Sequence, residues 1–84
     1  MPNNASQAKR LRQSRERRMR NRRAKSEIRT RTKNVLATET REAGEEALSA
    51  LYRALDRAAR KRIVAPRHAS RQKSRAARHV ATLS

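Results

Sequence analysis

Residues 9–33 read Lys9-Arg10-Leu11-Arg12-Gln13-Ser14-Arg15-Glu16-Arg17-Arg18-Met19-Arg20-Asn21-Arg22-Arg23-Ala24-Lys25-Ser26-Glu27-Ile28-Arg29-Thr30-Arg31-Thr32-Lys33. No Gly or Pro interrupts them, and most of the side chains are good helix formers. At about 100° per residue, Arg15, Arg17, Arg18, Arg20, Arg22 and Arg23 fall on all sides of the predicted helix, not along one stripe. The first half of this rod therefore has no apolar face to bury against protein. Like charges three and four residues apart repel when nothing neutralises them. A polyanion surrounding the rod supplies the missing partner.

Outward from this stretch, the helical pattern runs from about Ala5 to about Glu42, a rod of roughly 55 Å at 1.5 Å per residue. Met1 to Asn4 are expected to fray, with Asn4 or Ser6 as cap. Leu11 and Met19 are isolated apolar points. Ile28, Val35 and Leu36 fall at i, i+7 and i+8, so the end of the rod is expected to pack against protein. Glu39 and Glu42 near that end oppose the helix dipole slightly. Gly44, the only glycine, is the natural left-handed cap of the first helix. Glu45 and Glu46 then suit the first turn of a second helix running to about Arg62. Its Leu48, Leu51, Tyr52, Leu55, Ala58, Ala59 and Ile63 follow the amphipathic spacing closely. Asp56 and Arg60 are spaced as an i, i+4 ion pair.

Pro66 breaks the pattern and pushes Ala65 towards extended geometry. A third helix over about His68 to Thr82 has Ala69, Ala76, Ala77, Val80 and Leu83 as its packing side. Short connections make the helices antiparallel neighbours. The predicted fold class is all-α, a three-helix bundle with a long, protruding, highly basic N-terminal helix. One domain is expected over residues 1–84, with helices at about 5–42, 45–62 and 68–82.

Composition bounds what this fold can do. Leu, Ile, Val and Phe together make 11 of 84 residues, below the ~20% at which a highly charged chain usually fails to fold alone. With no Trp or Phe and one Tyr, a small Ala/Leu helical core is the most the chain can pack. The formal net charge is +17. Residues 1–33 carry 13 Lys/Arg against 2 acids, residues 34–60 carry 4 against 5, and residues 61–84 carry 7 against none. Two basic ends flank a near-neutral middle, which favours a polyanionic partner. Most of the cations are Arg, whose guanidinium forks onto phosphate oxygens. The absence of Cys removes disulfides, thiolate metal sites and cysteine nucleophiles. No apolar run approaches the ~20 residues of a membrane span. An Arg-rich, acid-poor start suits a mitochondrial transit peptide superficially, but such peptides are amphipathic and this one is basic all round.

The candidate contacts with a polyanion follow from these patterns. On the rod, the cations include Lys9, Arg10, Arg12, Arg17, Arg18, Arg22, Lys25, Arg29 and Lys33. Gln13, Ser14, Asn21, Ser26 and Thr30 interleave them and can bond riboses, base edges or phosphates. Any single one of these is nearly as well read as surface helix filler. A second basic patch comprises the cluster Arg71-Gln72-Lys73-Ser74-Arg75 with Arg67 and Arg78. Two separate patches suggest one protein touching two nucleic-acid segments, against a solvated helix face as the plain reading. His68 and His79, without Cys and far from the acids, make no metal site. No glycine-rich phosphate loop and no catalytic set is present, so no enzymatic activity and no cofactor is expected. Sparse aromatics exclude a base-stacking platform, leaving recognition by shape, phosphate and ribose.

The chain also resembles the bacterial small-subunit ribosomal protein S20 family. The resemblance lies in Asn4-Ala5-Ser6-Gln7-Ala8-Lys9-Arg10, Gln13-Ser14, Arg17, Asn21 and Lys25-Ser26-Glu27-Ile28-Arg29-Thr30. It continues in Leu55-Asp56-Arg57-Ala58-Ala59-Arg60-Lys61, Ile63 and Ala69-Ser70-Arg71-Gln72-Lys73-Ser74-Arg75. It implies a structural constituent of the small ribosomal subunit, cytoplasmic in the ribosome, that binds 16S-type rRNA directly and helps assemble the subunit. It implies contacts with the 5′ domain and the long penultimate stem, and few protein contacts. Matched position for position, the rRNA contacts include Lys9, Arg10, Ser14, Arg17, Asn21, Lys25, Ser26, Arg29 and Thr30, with Arg71, Lys73, Ser74 and Arg75 on the third helix. The chain departs from the family between helices two and three. Arg62, Ala65 and Arg67 stand where the family usually has Gly, His and Asn, and Pro66 is expected to supply the stop. The alternatives are a nucleoid-type DNA-compacting protein and a membrane-active cationic helix. The latter needs an apolar face that residues 9–26 lack.

Overall fold

The computed structural model describes residues 2–84, with side chains from Ala5 onward. Three helices follow one another: α1 over Pro2–Leu36, α2 over Arg41–Arg60 and α3 over Pro66–Ala81. No strand occurs among the described residues. Met1 and the side chains of residues 2–4 fall outside what is described, and with them the expected fraying and the cap from Asn4. Ser6 lies inside α1 rather than at its start.

The core is small and aliphatic, as the composition requires. Ile28 and Val35 of α1 meet Leu51, Ala54, Leu55 and Ala58 of α2 and Ala69, Ala76 and Val80 of α3. Leu51, Leu55 and Val35 are fully enclosed. Ala47, Leu48, Ala59, Ile63 and Val64 close the edges. Residues 5–20 are exposed on every side. The outcome is a bundle at one end and a free rod at the other, within an envelope of 66 × 20 × 12 Å. Leu11 and Met19 lie on this bare rod, 60% and 55% exposed.

The helix boundaries differ from the sequence expectation in an instructive way. α1 stops at Leu36, short of Glu42. Ala37 N–H donates to Lys33 O at 3.0 Å and Thr38 N–H to Val35 O at 3.1 Å, which tightens the last turn. The Thr38 hydroxyl donates to Val35 O as well. Thr40 then caps α2, its backbone extended (φ −111°, ψ 150°) and its hydroxyl accepting from Ala43 N–H at 3.3 Å. Two threonines turn the chain where a glycine was expected. Gly44 is not a left-handed cap; it sits inside α2, and no glycine has positive φ. Its role is close approach. A Cβ there would meet Leu83 at 3.0 Å, Val80 at 3.2 Å and Thr38 at 3.3 Å, so the missing side chain lets the end of α3 lie against the start of α2. The Arg41 N–H donates to Ser84 O at the same junction. Glu42, placed in the first turn of α2, now suits the dipole. Glu45 and Glu46 fall beyond that turn, and Leu36 is half exposed.

At the other end α2 closes with Arg62 at φ 60°, the only non-glycine residue with positive φ among those described. Its N–H donates to Ala59 O at 3.0 Å and the Ile63 N–H to Ala58 O at 2.8 Å. This is the paired bonding that ends helices with a left-handed residue. Arg62 thus ends α2 in the left-handed conformation that Gly usually supplies, and Pro66 does not stop α2. Pro66 instead opens α3 at its first position, where its missing N–H costs nothing. Ala65 before it is extended (φ −69°, ψ 144°), as expected of a residue preceding proline.

Candidate nucleic-acid interface

Helix periodicity sorts the cations of α1 into flanks once the bundle covers one side. Ser14, Arg17, Arg18, Asn21, Arg22, Lys25, Ser26 and Arg29 line one open groove along α1. All eight were singled out in the sequence, and no acid lines the groove. Their spacing runs i, i+3, i+4, i+7, i+8, i+11, i+12 and i+15, one face of one helix. Asn21 is the least exposed of the eight, and its Oδ1 is buried without a hydrogen-bond partner.

A second groove continues the first. Lys25 and Arg29 also line it, with Ile28, Thr32 and Lys33 of α1 opposite Val64 of the α2–α3 turn and His68 and Gln72 of α3. The outer face of α3 gathers Ser70, Arg71, Ser74, Arg75 and Arg78. Arg67 is exposed near the start of the same helix. Lys9, Arg10, Arg12, Gln13 and Thr30 are exposed on α1 without lining the groove.

Lys73 sits differently from its neighbours. Its ammonium bonds Asp56 of α2 and lies 5.1 Å from the centre of the Tyr52 ring. The predicted Asp56–Arg60 pair is replaced by this link between helices. Lys73 therefore shares its charge with the bundle, while Arg71 and Arg75 are exposed and make no ion pair among the described residues.

Sequence reading missed a further basic flank, on the α2 side of α1. Arg20 and Arg23 lie there beside Arg57 and Lys61, and Arg31 lies beside Arg53, Arg57 and Arg60. Its acids are Glu27, neutralised by Arg57 at 3.1 Å and Arg31 at 3.8 Å, and Asp56, which pairs with Lys73. The signal was present in the spacing of Arg53, Arg57 and Arg60 at i, i+4 and i+7. The near-zero charge of residues 34–60 concealed it, because the acids Glu42, Glu45 and Glu46 crowd the other end of α2.

A sequence model of the family described as ribosomal protein S20 matches residues 2–81 of this chain. The chain belongs to that family. Among the relatives, the small ribosomal subunit protein bS20 of Salinibacter ruber is 40% identical over 83 residues, 99% of each chain. That of Kosmotoga olearia is 44% identical over 79 residues, 89% of this chain and 81% of its own. That of Bacillus cereus is 42% identical over 83 residues, 95% of this chain and 98% of its own. Family membership makes the chain a structural component of the bacterial ribosome, a cytoplasmic particle, and not an enzyme. The S20 membership fits the three-helix architecture. Among the described residues, no helix is long and apolar enough to cross a membrane, and no cluster able to hold a metal ion occurs.

Proposed function

We propose that the chain binds small-subunit rRNA directly, with α1 laid among RNA phosphates and the bundle docked against the same RNA. The observation that carries this is the acid-free groove of α1, where Arg17, Arg18, Arg22, Lys25 and Arg29 converge with Ser14, Asn21 and Ser26. Guanidinium groups fork onto phosphate oxygens, and the short polar side chains between them reach riboses. The outer face of α3 and the α2-side flank extend the charge around the molecule, so RNA on more than one side is accommodated. The 5′ domain and the long penultimate stem are the segments that the family resemblance suggests. Counterion release supplies much of the affinity. The bundle docks first, and the rod is ordered as the RNA closes around it.

The test is competition between folded small-subunit rRNA and duplex DNA of equal length, read across a salt series. Preference for the rRNA at physiological salt is expected. Five groove cations on phosphates give a slope of log affinity against log salt of about −3.5 to −4.5, and Arg22→Ala lowers its magnitude by about 0.7–0.9. Equal affinity for DNA at every salt concentration points instead to a DNA-compacting protein.

A further inference from the structure

The groove between α1 and α3 differs in kind from the one it continues. Its floor is apolar, formed by Ile28, which is 6% exposed, and by half-buried Val64. Lys25, Arg29 and Lys33 stand along one rim at i, i+4 and i+8, about 6 Å apart along the helix axis. No acid lines it. Opposite them, the Gln72 amide nitrogen lies 2.9 Å from His68 Nε2. Gln72 Oε1 is buried with no hydrogen-bond partner. If the amide is turned over, its oxygen takes the His68 contact and its nitrogen is stranded instead. Either way one amide atom lacks a partner, which costs free energy until a ligand satisfies it.

An apolar floor, a polar edge with one unpartnered amide position and a row of cations match the three parts of a nucleotide. A phosphate-only contact needs no floor, and an apolar peptide needs no row of cations. We propose that this groove receives one unpaired base of the bound RNA, its face on Ile28 and Val64, its edge on the Gln72 amide, and its flanking phosphates on Lys25, Arg29 and Lys33. This rests on the RNA-binding reading above and adds base recognition to a protein otherwise built to read shape. The position suits it, because Lys25 and Arg29 belong to both grooves. A strand following the rod enters the cleft without changing direction. Thr32 does not compete for the base edge, since its hydroxyl donates to Ile28 O at 2.8 Å.

The test compares Gln72→Leu and Lys33→Ala with the unmodified chain, bound to full-length small-subunit rRNA across a salt series. Chemical probing of Watson–Crick edges with dimethyl sulfate and carbodiimide accompanies it. Circular dichroism checks that each variant keeps its helix content. Gln72→Leu is expected to weaken binding about tenfold, the loss of one hydrogen bond to a buried partner, with the salt slope unchanged. Lys33→Ala is expected to reduce the slope by about 0.7–0.9. The unmodified chain protects one unpaired base that the Gln72→Leu complex leaves reactive, with the rest of the footprint intact. If the chain binds rRNA and Gln72→Leu changes neither affinity nor that footprint, the base pocket is wrong and the phosphate reading stands. A Gln72→Leu variant that loses affinity and slope together also overturns the pocket, because that is how a phosphate contact behaves. A chain that shows no preference for rRNA removes both readings.

Discussion

Arg62→Gly should stabilise the bundle. Arg62 holds φ at 60°, where an L-residue's Cβ crowds the following carbonyl at a cost of about 1–2 kcal/mol. The position cannot relax, because two bonds fix it: Arg62 N–H to Ala59 O and Ile63 N–H to Ala58 O. Releasing either leaves carbonyls at the end of α2 unpaired and pulls Ile63 off the edge of the core. Glycine adopts this conformation without the crowding, though its freedom in the unfolded chain takes back about 0.4–1 kcal/mol. The net gain is about 0.5–1 kcal/mol, a rise in melting temperature of about 3–6 °C for a domain of this size. Urea and thermal melts followed by circular dichroism measure it. Arg62→Ala keeps the Cβ and should change little. Arg62→Pro cannot reach the required φ and lacks the N–H that bonds Ala59, so it should cost about 3 kcal/mol or more. If Arg62→Gly lowers the midpoint, or all three variants melt alike, α2 does not end in a left-handed residue and the reasoning about this turn is wrong.

Other perturbations probe the core and the junction of the helices. Leu55→Ala empties the centre of the bundle, where Leu55 is fully enclosed, and should cost about 2–5 kcal/mol in urea denaturation. Gly44→Leu forces a side chain into Leu83 and Val80, whose nearest atoms lie 3.0 and 3.2 Å from a Cβ at that position. It should cost about 1–3 kcal/mol, whereas Gly44→Ala should be near neutral, helix propensity offsetting the crowding.

The bundle was legible wherever burial imposed a period. Leu51, Leu55 and Ala58 of α2 and Ala69, Ala76 and Val80 of α3 occupy the predicted packing faces, because helical spacing alone decides which side of a helix can be dry. The connections were less legible. Gly44 drew attention as the one glycine, yet its lack of a side chain serves packing against Leu83, which only tertiary structure reveals. The real break uses the hydroxyls of Thr38 and Thr40, ordinary residues in an otherwise helical run. The left-handed Arg62 carries no local mark at all; it is imposed by the need to bring Ile63 back to the core. On the interface, the eight groove residues were all identifiable and their spacing puts them on one face, but the sequence did not single that face out. Arg15, Arg20 and Arg23 made the rod look uniform until α2 occupied part of its surroundings and divided it into flanks.

That division also decides how the free chain responds to salt. Residues 5–20 are exposed throughout, and an isolated helix of such length is marginal in water even with a favourable sequence. Here Lys9–Arg12, Arg12–Arg15, Arg15–Arg18, Arg17–Arg20 and Arg18–Arg22 are like-charge pairs at i+3 or i+4, a penalty of roughly 1–2.5 kcal/mol in all. Arg12–Glu16 and Glu16–Arg20 return about 0.4–1 kcal/mol. The balance opposes helix at low salt and fades as the Debye length falls from about 10 Å at 0.1 M towards 3 Å at 1 M. Added salt should therefore raise the helicity of the free overhang while weakening its binding to rRNA, opposite trends from the same charges. Amide hydrogen exchange resolves the two parts of the molecule. Residues 5–20 should exchange fast in low salt, more slowly in high salt, and most slowly on rRNA, while residues 51–58 stay protected throughout. Equal protection of the overhang and the core in the free chain at low salt would show that the rod needs no polyanion to hold its shape.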